Sequence, residues 1–199
     1  MYLNEELRTK IKAILDNDGV IAFVTDTVWG LGCLPSSEKA VRKIYEIKKR
    51  EAQKPLILMS NDIKNLKPYV KKINQNAQVL INKHFPGALT IVLKKSANTP
   101  DYVTSGFDTV GIRLPDNDIF KEICEAATGH VLATTSANLS HEPSAKTFEQ
   151  AVINMGEKVD LIVEDFGHEA KGLESTVAIV LEDEIKILRQ GAIRVKSEK

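Results

Sequence analysis

Residues 19–32, GVIAFVTDTVWGLG, decide the fold. Val20 to Val24 make a short run of β-branched and aromatic residues behind a glycine, the pattern of a buried strand. The run stops at Thr25, Asp26 and Thr27, then resumes through Trp29 into two spaced glycines. In an open α/β sheet, ligands collect at the carboxyl ends of strands, where hydroxyls and free backbone amides reach them. The plainer alternative is an ordinary strand exit in which Asp26 fixes a turn.

Outward from this stretch, helical and strand patterns alternate. Asn4 caps an expected first helix, with Leu7, Ile11, Ile14 and Leu15 at helical spacing and Glu5 and Glu6 at its positive end. Ser36 or Ser37 caps a second helix that turns Val41, Ile44, Tyr45 and Ile47 inward. Pro55 precedes a strand in LILM, and residues 61–84 read as helix broken at Pro68. Phe85-Pro86-Gly87 is a turn before the strand ALTIVL. VGIRL is a strand, Asp118 is expected to cap a helix through Ile123, and VLATTS is a further strand. Thr147 and Gln150 form a capping box for a helix that ends near Gly156. VDLIV, STVAIVL and IKILR close the chain as strands, the last two joined in a hairpin by acidic residues. The expected fold class is therefore α/β, an open twisted mixed sheet, with residues 1–199 as one domain.

Composition narrows the function. The chain has 199 residues, 43% of them hydrophobic, and 27 basic side chains balance 27 acidic ones. Zero net charge argues against a protein that works by coating nucleic acid. Cys33 and Cys124 are too few for a disulfide scaffold. They share no metal-ligand spacing with His84, His130, His141 or His168, so no metal site is expected. MYLNEELRTK holds no secretory apolar region, and no run reaches the length of a membrane span. A cytoplasmic protein is the expectation.

Residues able to hold an anion recur at several element ends. Thr25, Asp26 and Thr27 follow the first strand, and KKREAQK (48–54) follows the second helix. Thr134 to Asn138 end a later strand, and Glu174, Ser175 and Thr176 begin another. Lys48 and Arg50 point nearly opposite ways on a helix but share a face on an extended segment. They serve one polyphosphate site only if the chain has left the helix near Lys48; otherwise they complement a helix dipole. Arg113, inside VGIRLP, requires an anion: Glu174, Asp116 or a ligand carboxylate. Ser136 and Asn138 either meet a ligand or cap a turn. No Walker loop, dinucleotide fingerprint or Gly-x-Ser-x-Gly elbow occurs.

Taken in order, VTDTVWGLG, IKKREAQKPL, FPGALTIVLK, VGIRLP, TTSANLS with HEPS, ESTVAIV and ILRQGAI resemble the YrdC family in its short form, the threonylcarbamoyl-AMP synthases. The resemblance implies an open α/β twist around a positively charged cavity. It implies a nucleotidyltransferase that condenses L-threonine, bicarbonate and ATP to L-threonylcarbamoyl-adenylate and releases pyrophosphate. The product serves N6-threonylcarbamoyladenosine formation at position 37 of tRNA. Two alternatives are a paralogue of the same fold with another substrate, and an RNA-binding module.

The same resemblance assigns residues. Lys48, Arg50, Ser136 and Asn138 are the expected catalytic set, from Lys-x-Arg and Ser-x-Asn. Thr27, Met59, Arg113, Ser136 and Ser175 are expected around threonine, with Arg113 on its carboxylate. Arg50, Lys54, Thr109, Thr134, Ser136, Ser144 and Arg189 are expected around ATP. Mg²⁺ is expected to arrive with ATP. A downstream threonylcarbamoyl transferase complex is the expected partner, with weak tRNA binding and no membrane. Val24, Trp29, Glu51, Ala88 and Gln190 depart from common family residues, and Met59 stands where some members place a histidine.

Overall fold

Short polar side chains start the helices. In the computed structural model, which describes residues 1–49, 51, 53–182 and 184–195, Asn4 accepts from the Leu7 amide to open α1 (Glu5–Asp16). Ser37, rather than Ser36, caps α2 (Glu38–Lys48), which ends where Lys49 turns left-handed at φ 48°. Asp62 caps the short α3 (Ile63–Leu66), which runs into a 3₁₀ turn containing Pro68. Asn74 then opens α4 (Gln75–His84). A four-residue α5 (Asp101–Thr104) has no counterpart in the sequence pattern. The cap of α6 (Asp118–Ala126) is Asn117, not Asp118, with its Oδ1 accepting from the Phe120 amide. Thr147 caps α7 (Phe148–Met155), and Gln150 reaches back to the Lys146 amide.

The strands are β1 (Ile21–Phe23), β2 (Gly30–Cys33), β3 (Ile57–Ser60), β4 (Leu89–Lys94), β5 (Thr109–Arg113), β6 (Val131–Ser136), β7 (Leu161–Ile162), β8 (Thr176–Leu181) and β9 (Glu184–Arg189). Among the described residues these nine form one sheet in the order β7-β1-β2-β6-β3-β5-β4-β8-β9. Parallel pairs (β1–β7, β3–β5, β4–β8) are interleaved with antiparallel ones, so the sheet is mixed as expected.

β2 is the strand that the sequence pattern hides, because glycine is a poor strand former. Its glycines have a packing reason. Phe23 lies opposite Gly30, and a Cβ on Gly32 would sit 2.8 Å from the Phe23 ring. The opening stretch is thus a hairpin, β1–loop–β2, with Thr25 to Trp29 as its loop. Conversely, β7 keeps only two residues of VDLIV at the sheet edge. Helix α1 packs on β1 and α6, α2 on β2, and α7 on β7, which covers one continuous apolar core.

Candidate active site

Strand alternation puts every second residue on one face of the sheet. One such row crosses seven strands. Gly30 on β2 faces Ser136 on β6; Thr134 on β6 faces Ile57 on β3; Met59 on β3 faces Arg113 on β5. Farther along, Thr90 on β4 faces Val177 on β8, which faces Arg189 on β9. These residues floor a cavity of about 170 Å³, walled by Thr25, Thr27, Trp29, Pro55, Glu174 and Ser175. The sequence places ligands at carboxyl strand ends. Because the sheet is mixed, the amino ends of β4 and β8 meet there too.

Arg113 is the centre of this arrangement, with 3% of its surface exposed. Its Nε donates to the Gly87 carbonyl (3.0 Å), one terminal nitrogen to Thr27 Oγ1 (3.0 Å), and the other to Asp26 Oδ1 (2.5 Å). The anion that the sequence demands for Arg113 is therefore Asp26, not Glu174 or Asp116; Asp116 lies instead beside Lys121. Burial pulls the guanidinium below its usual value, and the Asp26 charge opposes that pull. Thr27 is held in turn by Thr25, whose hydroxyl sits on the Val28 carbonyl at 2.6 Å. From sequence, Asp26 stands either at a ligand-facing strand end or in a turn, and neither reading names Arg113 as its partner. A buried arginine 87 residues away signals the need for a partner, without saying which.

The far wall is a chain of polar contacts. Ser144 Oγ donates to Glu174 (2.9 Å), Arg189 bridges Glu174 (2.5 Å) and the Ser175 carbonyl (2.9 Å), and Ser175 Oγ lies 2.9 Å from Thr90 Oγ1. Gly191 permits this wall to close. A Cβ there would lie 2.2 Å from the Glu174 carbonyl oxygen, and the neighbouring Ala192 amide donates to that same oxygen.

Of the expected residues, Thr27, Met59, Arg113, Thr134, Ser136, Ser175 and Arg189 meet on this cavity. Others do not line it. Lys48 is 1% exposed, and its ammonium donates to the carbonyls of Ser136 and Asn138 and to Asn138 Oδ1 (2.5, 2.6 and 2.9 Å). Asn138 also donates to the Leu139 and Glu142 carbonyls and accepts from Ser136 Oγ. Lys48 and Asn138 therefore shape the 136–145 loop from behind, outside the cavity lining. Ser144 reaches the cavity through Glu174. Lys54 pairs with Glu51 beside the lining residue Pro55. Thr109 begins β5 opposite Lys94, about 13 Å from Arg113 by strand rise, so it lies outside the cavity. Arg50 falls outside the described residues. Cys33 and Cys124 are buried free thiols away from the cavity, and burial pushes the Cys33 thiol up to about 12. Among the described residues, no three His, Cys, Asp or Glu side chains gather as a metal site, and no helix is long and apolar enough to cross a membrane.

The fold and cavity define an open mixed α/β protein with a small polar pocket built around one buried, carboxylate-paired arginine. The chain belongs to the Sua5/YciO/YrdC family, whose model, described as "Telomere recombination", matches residues 13–191. It is 36% identical over 198 residues to a putative threonylcarbamoyl-AMP synthase of Methanocaldococcus jannaschii, covering 98% of this chain and 92% of that one. It is 33% identical to the threonylcarbamoyl-AMP synthase of Vibrio cholerae, covering 96% of this chain and all of that one. The Pyrococcus abyssi Sua5 structure complexed with L-threonine superposes with a TM-score of 0.89 at 33% identity, covering 96% of this chain. This chain spans 56% of that longer one.

Proposed function

We propose that the chain is an L-threonylcarbamoyladenylate synthase, condensing L-threonine, bicarbonate and ATP with release of pyrophosphate. The observation that carries this reading is Arg113, buried on the cavity wall with N–H donors to spare for a carboxylate. A cavity of about 170 Å³ lies below the ~300–1,000 Å³ typical of larger ligands and suits an amino acid. Thr27, Thr90 and Ser175 offer hydroxyls to a polar side chain, while Ile57, Met59 and Val177 offer apolar contact for a methyl. The names of the relatives and the threonine complex of the Pyrococcus protein support the same substrate.

The chemistry needs no protein nucleophile. The threonine amine and bicarbonate form a carbamate and water; a carbamate oxygen attacks the α-phosphorus, and pyrophosphate leaves. The protein supplies alignment and neutralises charge as it shifts on the phosphates. ATP meets the cavity at Pro55, Ser136 and Arg189, and the family motif assigns Arg50 and Lys54 to the triphosphate. Mg²⁺ comes as part of the substrate MgATP, since this ion is commonly held by phosphates and water with few protein ligands. The reaction places the chain in the cytoplasm, upstream of a transferase that accepts the labile adenylate for tRNA modification.

Mass spectrometry of the product formed from ATP, L-threonine and bicarbonate tests this directly. Threonylcarbamoyl-adenylate is expected, and none forms if the reading is wrong. Amino-acid choice is the sharper check. Valine, an isostere lacking the hydroxyl, leaves buried polar groups unpaired and is expected to react at least about 10⁴-fold less well. Serine lacks one methyl and is expected to lose only about 10–200-fold. Equal turnover of valine and threonine in a pyrophosphate-release assay would exclude a threonine site.

A further inference from the structure

We propose that Asp26 is a positioning residue for amino-acid recognition: it aims the Arg113 guanidinium, so that its unused donors face the substrate carboxylate. This rests on the reading of the cavity as a threonine site. A guanidinium carries five N–H donors. Three are committed here, Nε to the Gly87 carbonyl and one on each terminal nitrogen to Thr27 and Asp26. One N–H remains on each terminal nitrogen, the number a carboxylate takes in a two-pronged contact. Asp26 makes the shortest of the three holds and the one that carries charge. It leaves the pair neutral overall, so the site attracts a carboxylate through directed hydrogen bonds rather than a bare buried charge. Asp26 sits between two cavity-lining threonines. Its own backbone carbonyl accepts from the Lys171 amide at 3.4 Å, and the next carbonyl, that of Thr27, accepts from Gly172 at 2.7 Å. The carboxylate thus stands on a loop braced from outside, as a group that aims another must.

Two substitutions in the full chain separate position from charge. Asp26→Glu keeps the charge and moves the carboxylate by one methylene; Asp26→Asn keeps the oxygen in place and removes the charge. Titration calorimetry with L-threonine, and separately with MgATP, reads both sites, and a thermal melt checks folding. Asp26→Glu is expected to weaken threonine binding about tenfold or more, with MgATP affinity within about twofold. Asp26→Asn is expected to keep threonine affinity within about threefold despite a lower Tm. Wild-type threonine affinity in Asp26→Glu, an equal loss in Asp26→Asn, or a matching loss for MgATP would each overturn the proposal. If Asp26→Glu does not fold, Asp26→Ala, which removes the oxygen as well as the charge, takes its place, with the same tenfold loss for threonine and none for MgATP expected, and wild-type threonine affinity overturning the proposal. A wild-type chain that binds MgATP and no threonine overturns the threonine reading itself, and this inference with it.

Discussion

The Lys48 ammonium, 1% exposed, is held against a single loop. Three carbonyl-type oxygens around its ammonium come from Ser136 and Asn138, 88 and 90 residues away. An apolar side chain there would take this donor from all three, leaving the Ser136 carbonyl to the Asn138 amide and Asn138 Oδ1 to the Ser136 hydroxyl. Lys48→Met is expected to lower stability by about 2–4 kcal/mol, read from urea denaturation at constant m-value. A loss of activity without a loss of stability would instead return Lys48 to contact with substrate. The family resemblance groups Lys48, Arg113, Ser136 and Asn138 at one site, whereas the residue types alone leave turn caps, a helix dipole or a structural ion pair open for each. Neither shows which of them faces the ligand. That depends on long-range partners such as Asp26 for Arg113, and periodicity and capping rules see only near neighbours. Thr109 is a parallel case: its motif position is near Arg113, but four residues of extended chain separate their ends of β5, outside the cavity lining.

At the scale of elements, local rules recovered most of the fold. Caps at Asn4, Ser37 and Thr147 were legible because an N-cap is a contact between residues three apart. β2 was not, since its Gly-Leu-Gly pattern makes sense only once Phe23 lies across it. The tie between α1 and α6 was equally invisible. Glu122 on α6 accepts from the Tyr2 and Leu3 amides (2.9 Å each) and pairs with Arg8 at 2.6 Å. Burial raises its pKa, but these two amides and the Arg8 charge outweigh burial and hold it below the usual carboxylate value. A depressed folded pKa means stability that is fully present above the unfolded pKa of about 4.3. It is lost as pH falls through the folded value. Glu122→Gln is therefore expected to lower Tm by roughly 2–4 °C at pH 7. The gap to wild type should close as both are melted at progressively lower pH, below about 4. A gap that stays constant down to about pH 2.5 would show that the carboxylate charge contributes nothing.

For the whole molecule, charge balance and architecture point the same way. Interleaving parallel and antiparallel strands brings strand ends of both polarities to one cavity, so the binding surface is concave and small. Many ionic groups elsewhere neutralise one another locally, as in Arg8 with Glu122, Arg42 with Glu38 and Lys43 with Asp160. Zero net charge and 6% aromatic residues carry little of the usual signature of nucleic-acid binders, which is basic stripes with stacking platforms. Direct tRNA binding is accordingly expected to be weak, with Kd of roughly 10⁻⁶–10⁻⁴ M at physiological salt, the range of non-specific contact. The affinity should fall steadily with salt, since counterion release is then the main driving force, and tRNAs with different anticodons should bind alike. Fluorescence anisotropy across a salt series, with two tRNAs that differ in the anticodon loop, measures both quantities. Nanomolar binding that survives high salt and separates the two tRNAs would require base contacts. That result would make recognition of the nucleic acid a property of this chain, and the reading of it as a small-molecule enzyme alone would fall.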